Sequence, residues 1–537
     1  MRHVNRGVAT AVLAISLAAG SVACSSDSAE VQGAGADESG GVAVVAEESR
    51  SGVETARLML TAAPVVVVAA PDEAAQARAA SVAVGLRAPM FTAQPGGETE
   101  LAEEVSRLGA ERVLRVGEVT FEPDDGEVVD APADPQELAD LIGVEFGPEV
   151  EVDPEDLDDV TARQDPGSPE LMTAGELTAG SGASSGDEGF EPGSALWDGD
   201  DAPQVLVSED TPVAAVATAV ALGGVVTHLA LPDPRVDGSG VDAVRGAQTV
   251  FAIGPGWGTE DTLEERIEQA VTVPELPGGG QLMFPGRRFV AAYGSPITPV
   301  LGILGEQGPE ESVARVQKLV EQYQAFSPET VVPAFEIIGT VASSEPGDDG
   351  NFTNEWPVED FEPLVDAITD AGGYAVIDLQ PGMADMVDQA EIFEDLLKRP
   401  GVGLALDPEW KLEPGQQPGA QIGAVDAEEI NRVIDWLADL TRDTGGPQKL
   451  LILHQFSTAM ITNRDKIDTS RPELAIALHA DGHGTPDLKL ETWGVLREGL
   501  SPDIWMAWKN FYDEDTPTFT PEETMAVEPR PWFVSYQ

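Results

Sequence analysis

The chain has 537 residues, 95 Asp and Glu against 30 Lys and Arg, a formal net charge of −65 and one cysteine. Its length corresponds to roughly three or four domains of ~150 residues, and its 42% hydrophobic content is enough to build cores. Such acidity repels phosphate backbones and anionic lipid, and so excludes nucleic-acid binding through a basic surface; a single cysteine excludes an intramolecular disulfide framework and any zinc site of several cysteines.

At the start, Arg2 and Arg6 precede an apolar run from Val8 to Ala19 that is too short to span a membrane, and Ser21-Val22-Ala23-Cys24 follows. The only cysteine therefore stands where a signal peptide ends. This resembles a bacterial lipoprotein signal, which implies removal of residues 1–23 and acylation of Cys24. Two or three acyl chains at ~0.8 kcal/mol per buried methylene anchor a protein stably on the outer leaflet of the cytoplasmic membrane. Read instead as a small-x-small cleavage site, Ser21 and Ala23 leave a secreted protein. Residues 24–52, rich in Ser, Gly, Ala and acid, are expected to form a tether.

Two later stretches look alike. In residues 53–120 the pattern is a strand at Val65–Val68, an Ala-rich helix from Asp72 to Leu86, Ala88-Pro89-Met90-Phe91-Thr92, an amphipathic helix from Glu98 to Leu108, and Val113–Gly117. In residues 202–275 it is Val205-Leu206-Val207, a helix from Thr211 to Leu222, Val225–Leu231 and Val250–Gly254. Alternating short apolar strands and helices predict a parallel sheet covered by helices. Each unit is too small for a good core alone, so the two are expected to pack together. Between them, residues 121–201 hold 25 acidic residues and one basic residue, Arg163. That balance predicts a disordered linker or loose insertion, with one short helix over Gln136–Ile142.

Glu54-Thr55-Ala56, the strand Val65–Val68, Arg87-Ala88-Pro89-Met90-Phe91-Thr92 and Leu108-Gly109-Ala110-Glu111-Arg112-Val113 resemble the type-2 cell-wall-binding repeat family of Gram-positive surface proteins, and the second unit resembles a degenerate copy. The resemblance implies non-covalent attachment to a wall polymer and names no ligand contact. Since those polymers are often anionic, binding by an acidic chain calls for divalent-cation bridges or a local basic patch, for which Arg107, Arg112 and Arg115 are candidates.

Residues 285–537 alternate strand and amphipathic helix. Strands are expected at Phe289–Tyr293, Val331–Ile338, Tyr374–Asp378, Val402–Asp407, Leu450–His454, Leu474–His479, Ile504–Lys509 and Trp532–Tyr536, with clear helices over Glu310–Phe326, Asp385–Lys398 and Asp426–Arg442. Eight such strands in about 250 residues predict a (β/α)8-like barrel. The fold class is therefore α/β, an N-terminal parallel-sheet repeat domain joined to a barrel. Period-2 alternation puts Gly403, Ala405, Asp407 and Glu409 on one side of the fourth strand, and Ala475, Ala477, His479 and Asp481 on one side of the sixth. The small residues fit the crowded interior, so the polar ones emerge at the C-terminal mouth, where barrel active sites are built. Tyr293, Glu336, Asp378, Gln380, His454, Gln455, Lys509 and Asn510 stand at other strand ends.

Two carboxylates at Asp407-x-Glu409 suit a general acid kept protonated beside a charged partner, the requirement for cleaving a glycosidic bond. The barrel resembles glycoside hydrolases, lysozyme-like and chitinase-like types included, at fold level. On that reading Glu409 is the acid, and Asp407, Asp378 or Glu336 its partner. Trp410, Trp493, Trp505 and Trp508 are candidates to stack on sugar rings, and the reaction requires no cofactor. A second reading is a divalent-metal hydrolase, with His479, Asp481 and His483 as ligands and His454 and Asp378 nearby, a set that zinc or manganese accepts. In a third, the barrel holds a wall glycan without cutting it.

Overall fold

The computed structural model describes residues 30–33, 41–153, 160–161, 163–165, 167–175, 177, 189–417 and 419–537. Cys24 and the signal sequence lie outside the described residues, as does the small-residue run 180–186. Among the described residues no helix is long and apolar enough to cross a membrane.

The N-terminal half contains two four-stranded parallel sheets whose first three strands follow the same order, the fourth coming after the others in the chain in one sheet and before them in the other. In the first, Met90–Thr92, Val65–Ala69, Arg112–Val116 and Glu127–Asp130 lie side by side. In the second the order is Val225–Leu229, Gln204–Ser208, Thr249–Ile253 and Gly41–Val45. The helices Glu73–Leu86 and Val213–Leu222 join the two units. Both are rich in Ala and Val with nearly every residue buried, and small side chains let the helices approach closely. Thr218 accepts a hydrogen bond from the Met90 backbone at 3.0 Å, tying one unit to the other.

The fourth strand of each sheet comes from a segment expected to be unstructured. Gly41–Val45 lies in the stretch read as a tether, and Glu127–Asp130 in the stretch read as an acidic linker. In each case a few apolar residues suffice: Val129, Leu138, Ile142, Leu171 and Met172 are buried against the first unit although acids surround them. The helix Pro135–Ile142 starts on an Asp134 side chain that accepts from Gln136 and Glu137, and stops at Gly143 in the left-handed region. The Met172 backbone donates to Ser81 on the Ala-rich helix.

The proposed basic patch is otherwise engaged. Arg107 pairs with Glu104, Arg112 with Glu127, and Arg115 with Asp130 and Glu122. Local carboxylates neutralise all three cations, so they form no free positive surface.

The C-terminal half is a closed barrel of eight parallel strands, β1 Arg287–Gly294, β2 Thr330–Ala342, β3 Tyr374–Leu379, β4 Val402–Leu406, β5 Lys449–Gln455, β6 Leu474–Ala480, β7 Trp505–Asn510 and β8 Phe533–Tyr536. Each strand pairs with the next, and β8 closes on β1. The short strand Thr353–Glu355 adds antiparallel to the end of β2. Helices Pro309–Gln324 and Ala427–Thr444 form as expected, whereas the third breaks at Phe393 into Met386–Ile392 and Glu394–Leu397. Alternation separates an inner cluster that includes Ala291, Ala334, Ala405, Ala475, Ala477 and Ala507 from an outer one that includes Leu404, Leu406, Leu451, Leu453 and Leu478. Gly403 must be glycine: a Cβ there would lie 2.5 Å from the Leu450 carbonyl and 2.9 Å from the Tyr374 hydroxyl. The segment before β1 plugs the N-terminal end with Leu276, Met283 and Phe284, and the buried Arg287 guanidinium donates to the Pro277 and Gly279 carbonyls. The opposite end carries polar groups around a cavity.

Candidate functional site

The polar residues converge at the C-terminal ends of the strands, in two layers. The deeper layer is fully buried. Glu336 from β2 and His454 from β5 meet at 2.8 Å between Oε1 and Nε2, and the other His454 nitrogen, Nδ1, faces Asp481 Oδ2 at 2.9 Å. From β6, His479 brings Nδ1 to 3.5 Å from His454 Nε2 and 3.7 Å from Glu336 Oε1, while its Nε2 faces Ser535 Oγ on β8 at 3.1 Å. On β3, Asp378 accepts from the Tyr293 hydroxyl of β1 at 2.8 Å. Glu336 Oε2 and Asp378 Oδ1 are buried with no hydrogen-bond partner.

The outer layer lines a cavity of ≈340 Å³, whose walls include Tyr293, Gln380, Asp407, Glu409, Trp410, Phe456, Asp481, His483, Lys509 and Phe511. Lys509 Nζ stands 3.1 Å from Asp481 Oδ1 and 3.7 Å from the centre of the Tyr293 ring. Glu409 reaches the cavity by a different route from simple alternation. β4 ends at Leu406, and Pro408–Trp410 form a single 3-10 turn capped by Asp407, whose Oδ1 accepts from the Glu409 backbone at 3.2 Å. The turn keeps both carboxyl groups on the cavity and adds Trp410 beside them.

Burial governs the protonation of these groups. It pushes Asp407 well above the usual carboxylate range and Asp378 up to about 6, and it raises Glu409, which also feels the charge of Asp481. Asp481 is equally buried, yet Lys509 and His454 hold it below its ordinary value. Glu336 is likewise lowered, since His479 and His454 outweigh its burial. The two imidazoles diverge: burial takes His479 down to about 4, whereas Glu336 and Asp378 outweigh the burial of His454 and raise it well above the usual value.

Several expected residues go elsewhere. Trp508 and Asn510 flank Lys509 on β7 and therefore point outward; Trp508 packs on Trp493 and Phe519 and donates to Asn510 Oδ1 at 2.8 Å. Gln455 also turns away, donating to the Ser457 carbonyl and accepting from Arg464. Trp505 sits at the plugged end against Phe284 and Trp532. His483 is exposed on the rim, with its ring on Phe511, and does not join His479. The metal-type set drawn from His479, Asp481 and His483 is therefore not assembled; the ligand atoms that converge are those of Glu336, His454 and His479, and those of Asp407, His454 and Asp481.

Ser535 is an inward residue that sequence reasoning missed, although alternation with the inward Phe533 marks it. The buried Lys489–Asp515 pair behind the rim carries no local signal, because its partners lie 26 residues apart, Lys489 on the helix Pro486–Arg497 and Asp515 on the loop after β7.

No family model and no curated protein matches the chain. Among solved structures it is similar to Cwp8 from Clostridium difficile, with 15% sequence identity and a TM-score of 0.28, over 42% of this chain and 52% of that one. The match spans about half the length of that neighbour.

Proposed function

We propose that this is a surface-anchored, wall-associated protein whose barrel cleaves glycosidic bonds of a wall glycan. The observation that carries the reading is the pairing of carboxyl groups of opposite character on one cavity. Burial favours the protonated form of Glu409, while Asp481, its strongest charged neighbour, is held anionic by Lys509. An acid that holds its proton more tightly than an ordinary glutamate, beside a carboxylate that stays charged, meets the demand of an oxocarbenium-like transition state.

Glu409 serves as the acid and Asp481 as the charged partner. Of the partners expected from sequence, Glu336 and Asp378 are fully buried, engaged by His454 and Tyr293, and line no part of the cavity; Asp407 lines it but favours its neutral form. Trp410, half-buried beside Glu409, supplies an aromatic face for a sugar ring, and Gln380 and Lys509 supply polar contacts. In this reading Cys24 carries the lipid anchor, and the paired parallel sheets attach to a wall polymer. Because Arg107, Arg112 and Arg115 are neutralised, that attachment works through divalent cations bridging acidic surfaces.

The test is to incubate the full chain with purified wall polysaccharide and count new reducing ends. The expected result is turnover that Glu409→Gln abolishes. Retention on the wall without new reducing ends would leave a binding protein and overturn the hydrolase, and activity that survives Glu409→Gln would overturn the acid assignment.

A further inference from the structure

We infer that the base of the barrel cavity is a divalent-cation site ligated by Glu336, His454 and His479, with zinc the ion its donors fit best. The inference stands apart from the glycan reading, because it concerns the layer beneath the cavity.

Geometry comes first. Glu336 Oε1, His454 Nε2 and His479 Nδ1 come from three different strands and lie 2.8, 3.5 and 3.7 Å from one another. An ion bound at zinc's usual ~2.0–2.2 Å from nitrogen and oxygen holds neighbouring ligand atoms about 3.0–3.5 Å apart, whether four- or six-coordinate. The three atoms thus already stand close to the corners of a coordination polyhedron, and two imidazoles with one carboxylate are a donor set that zinc accepts while leaving a position open.

The outer shell points the same way. Each imidazole uses its other nitrogen on a fixed partner, His454 Nδ1 on Asp481 Oδ2 at 2.9 Å and His479 Nε2 on Ser535 Oγ at 3.1 Å. Metal-binding histidines are oriented in this manner, with the distal nitrogen on a carboxylate or hydroxyl so that the inner lone pair faces the ion.

An independent observation concerns atoms without partners. Glu336 Oε2 and Asp378 Oδ1 are fully buried with no hydrogen-bond donor, and an unpartnered carboxylate oxygen in a dry interior is costly. A cation that takes Glu336 through both of its oxygens would remove that cost at Oε2. Around the same point four carboxyl groups, those of Glu336, Asp378, Asp407 and Asp481, face a single lysine, Lys509, so oxygen ligands outnumber ammonium groups there. Asp407, whose oxygen lies within 4.8 Å of His454 and Asp481 donors, stands on the side nearest the cavity.

The test uses the full-length protein, purified without chelator and measured for metal by mass spectrometry. It is then stripped with EDTA and titrated with zinc chloride, with magnesium chloride as the control. The expected result is about one tightly held zinc per chain, a rise in Tm with zinc and none with magnesium, and a visible ligand-field spectrum when cobalt replaces zinc. Ser535→Ala keeps both imidazoles and lowers zinc affinity by about 10–100-fold; His479→Ala lowers it further. If His479→Ala fails to fold, the wild-type titration and Ser535→Ala decide the matter. A stripped wild type that takes up no zinc, or a His479→Ala protein that binds zinc as tightly as wild type, overturns the site. Zinc bound without glycan turnover would sink only the hydrolase, and turnover by zinc-free protein that takes up no metal would sink only the ion.

Discussion

Replacing Asp515 by alanine should destabilise the barrel far more than removing its partner Lys489, because of what each residue leaves behind. The two form an ion pair at 2.8 Å with side chains 0% and 2% exposed. Lys489 Nζ also donates to the Lys509 carbonyl, while Asp515 accepts from the backbones of Phe511 and Gly484, both at 2.9 Å. One carboxylate thus gathers a buried ammonium and two backbone donors, and so joins the loop after β6 to the loop after β7. Asp515→Ala leaves Lys489 charged, buried and almost unpaired. Breaking a buried pair in this way costs about 3–5 kcal/mol, equivalent to a Tm drop of about 6–20 °C for a domain of this size. Lys489→Met leaves a carboxylate that keeps two N–H donors, and should cost only about 1–3 kcal/mol. In the double variant no charge is left unpaired, so its loss should fall short of the sum of the two by at least ~1 kcal/mol. Urea unfolding followed by tryptophan fluorescence reads all three variants, since seven of the nine tryptophans lie in the barrel half. An Asp515→Ala loss below ~1 kcal/mol, or strict additivity, would refute the argument.

Three further outcomes are expected. Trp508→Phe should cost about 1–3 kcal/mol of stability through the lost bond to Asn510 and the lost packing, with turnover per folded molecule kept; a selective loss of turnover would return Trp508 to the mouth. Since the acid must be protonated and burial raises Glu409, turnover should persist above the ordinary carboxylate range and then fall about tenfold per pH unit on the alkaline side; an alkaline limb at the ordinary glutamate value would contradict this. Lys449, buried at the closed end and donating to the Arg399 and Val402 carbonyls, has its pKa lowered from 10.5 to about 7 by burial. Between those values the unfolded chain holds a proton that the folded chain does not, so this residue makes stability rise with pH by up to about 1.4 kcal/mol per unit. The difference between wild type and Lys449→Met across pH 7 to 10, measured by urea unfolding, should carry that slope, and a flat difference would refute it.

The barrel was legible because its strands are short, apolar and separated by strong helical periodicity, and because Gly403, Ala405, Ala475 and Ala477 mark the crowded side. The same alternation placed Asp407 and His479 correctly, but it fails once a strand ends. Glu409 reaches the cavity through the turn at Pro408 rather than along the strand, and His483 follows a glycine into the rim. On β7 three consecutive residues were grouped as a mouth, whereas alternation admits only Lys509. The N-terminal half was harder to read for a compositional reason. Gly41–Val45 and Glu127–Asp130 are edge strands of four or five residues in acidic surroundings. A sheet edge needs only a few apolar contacts, and those are diluted below the level that composition registers.

The two layers of the barrel mouth also limit how its residues can act. Asp407, Glu409, Trp410, Asp481 and Lys509 line the cavity, whereas Glu336, Asp378, His454 and His479 are buried beneath it. Two residues belong to both layers. Asp481 holds Lys509 with one oxygen and His454 with the other, and Tyr293 donates to Asp378 beneath while Lys509 rests on its ring. A charged or protonated ligand that draws Lys509 away from Asp481 therefore alters the carboxylate that orients His454. On the proposed reading, the deeper groups would act on a substrate through Asp481 or through what they jointly hold, whether a proton or an ion. Asp481→Asn separates these routes: it keeps an oxygen for one contact, removes the charge from both layers at once, and should weaken zinc uptake and glycan turnover together. Asp407→Asn alters only the cavity layer and should spare metal uptake, and equal effects of the two substitutions on zinc would dissolve the distinction.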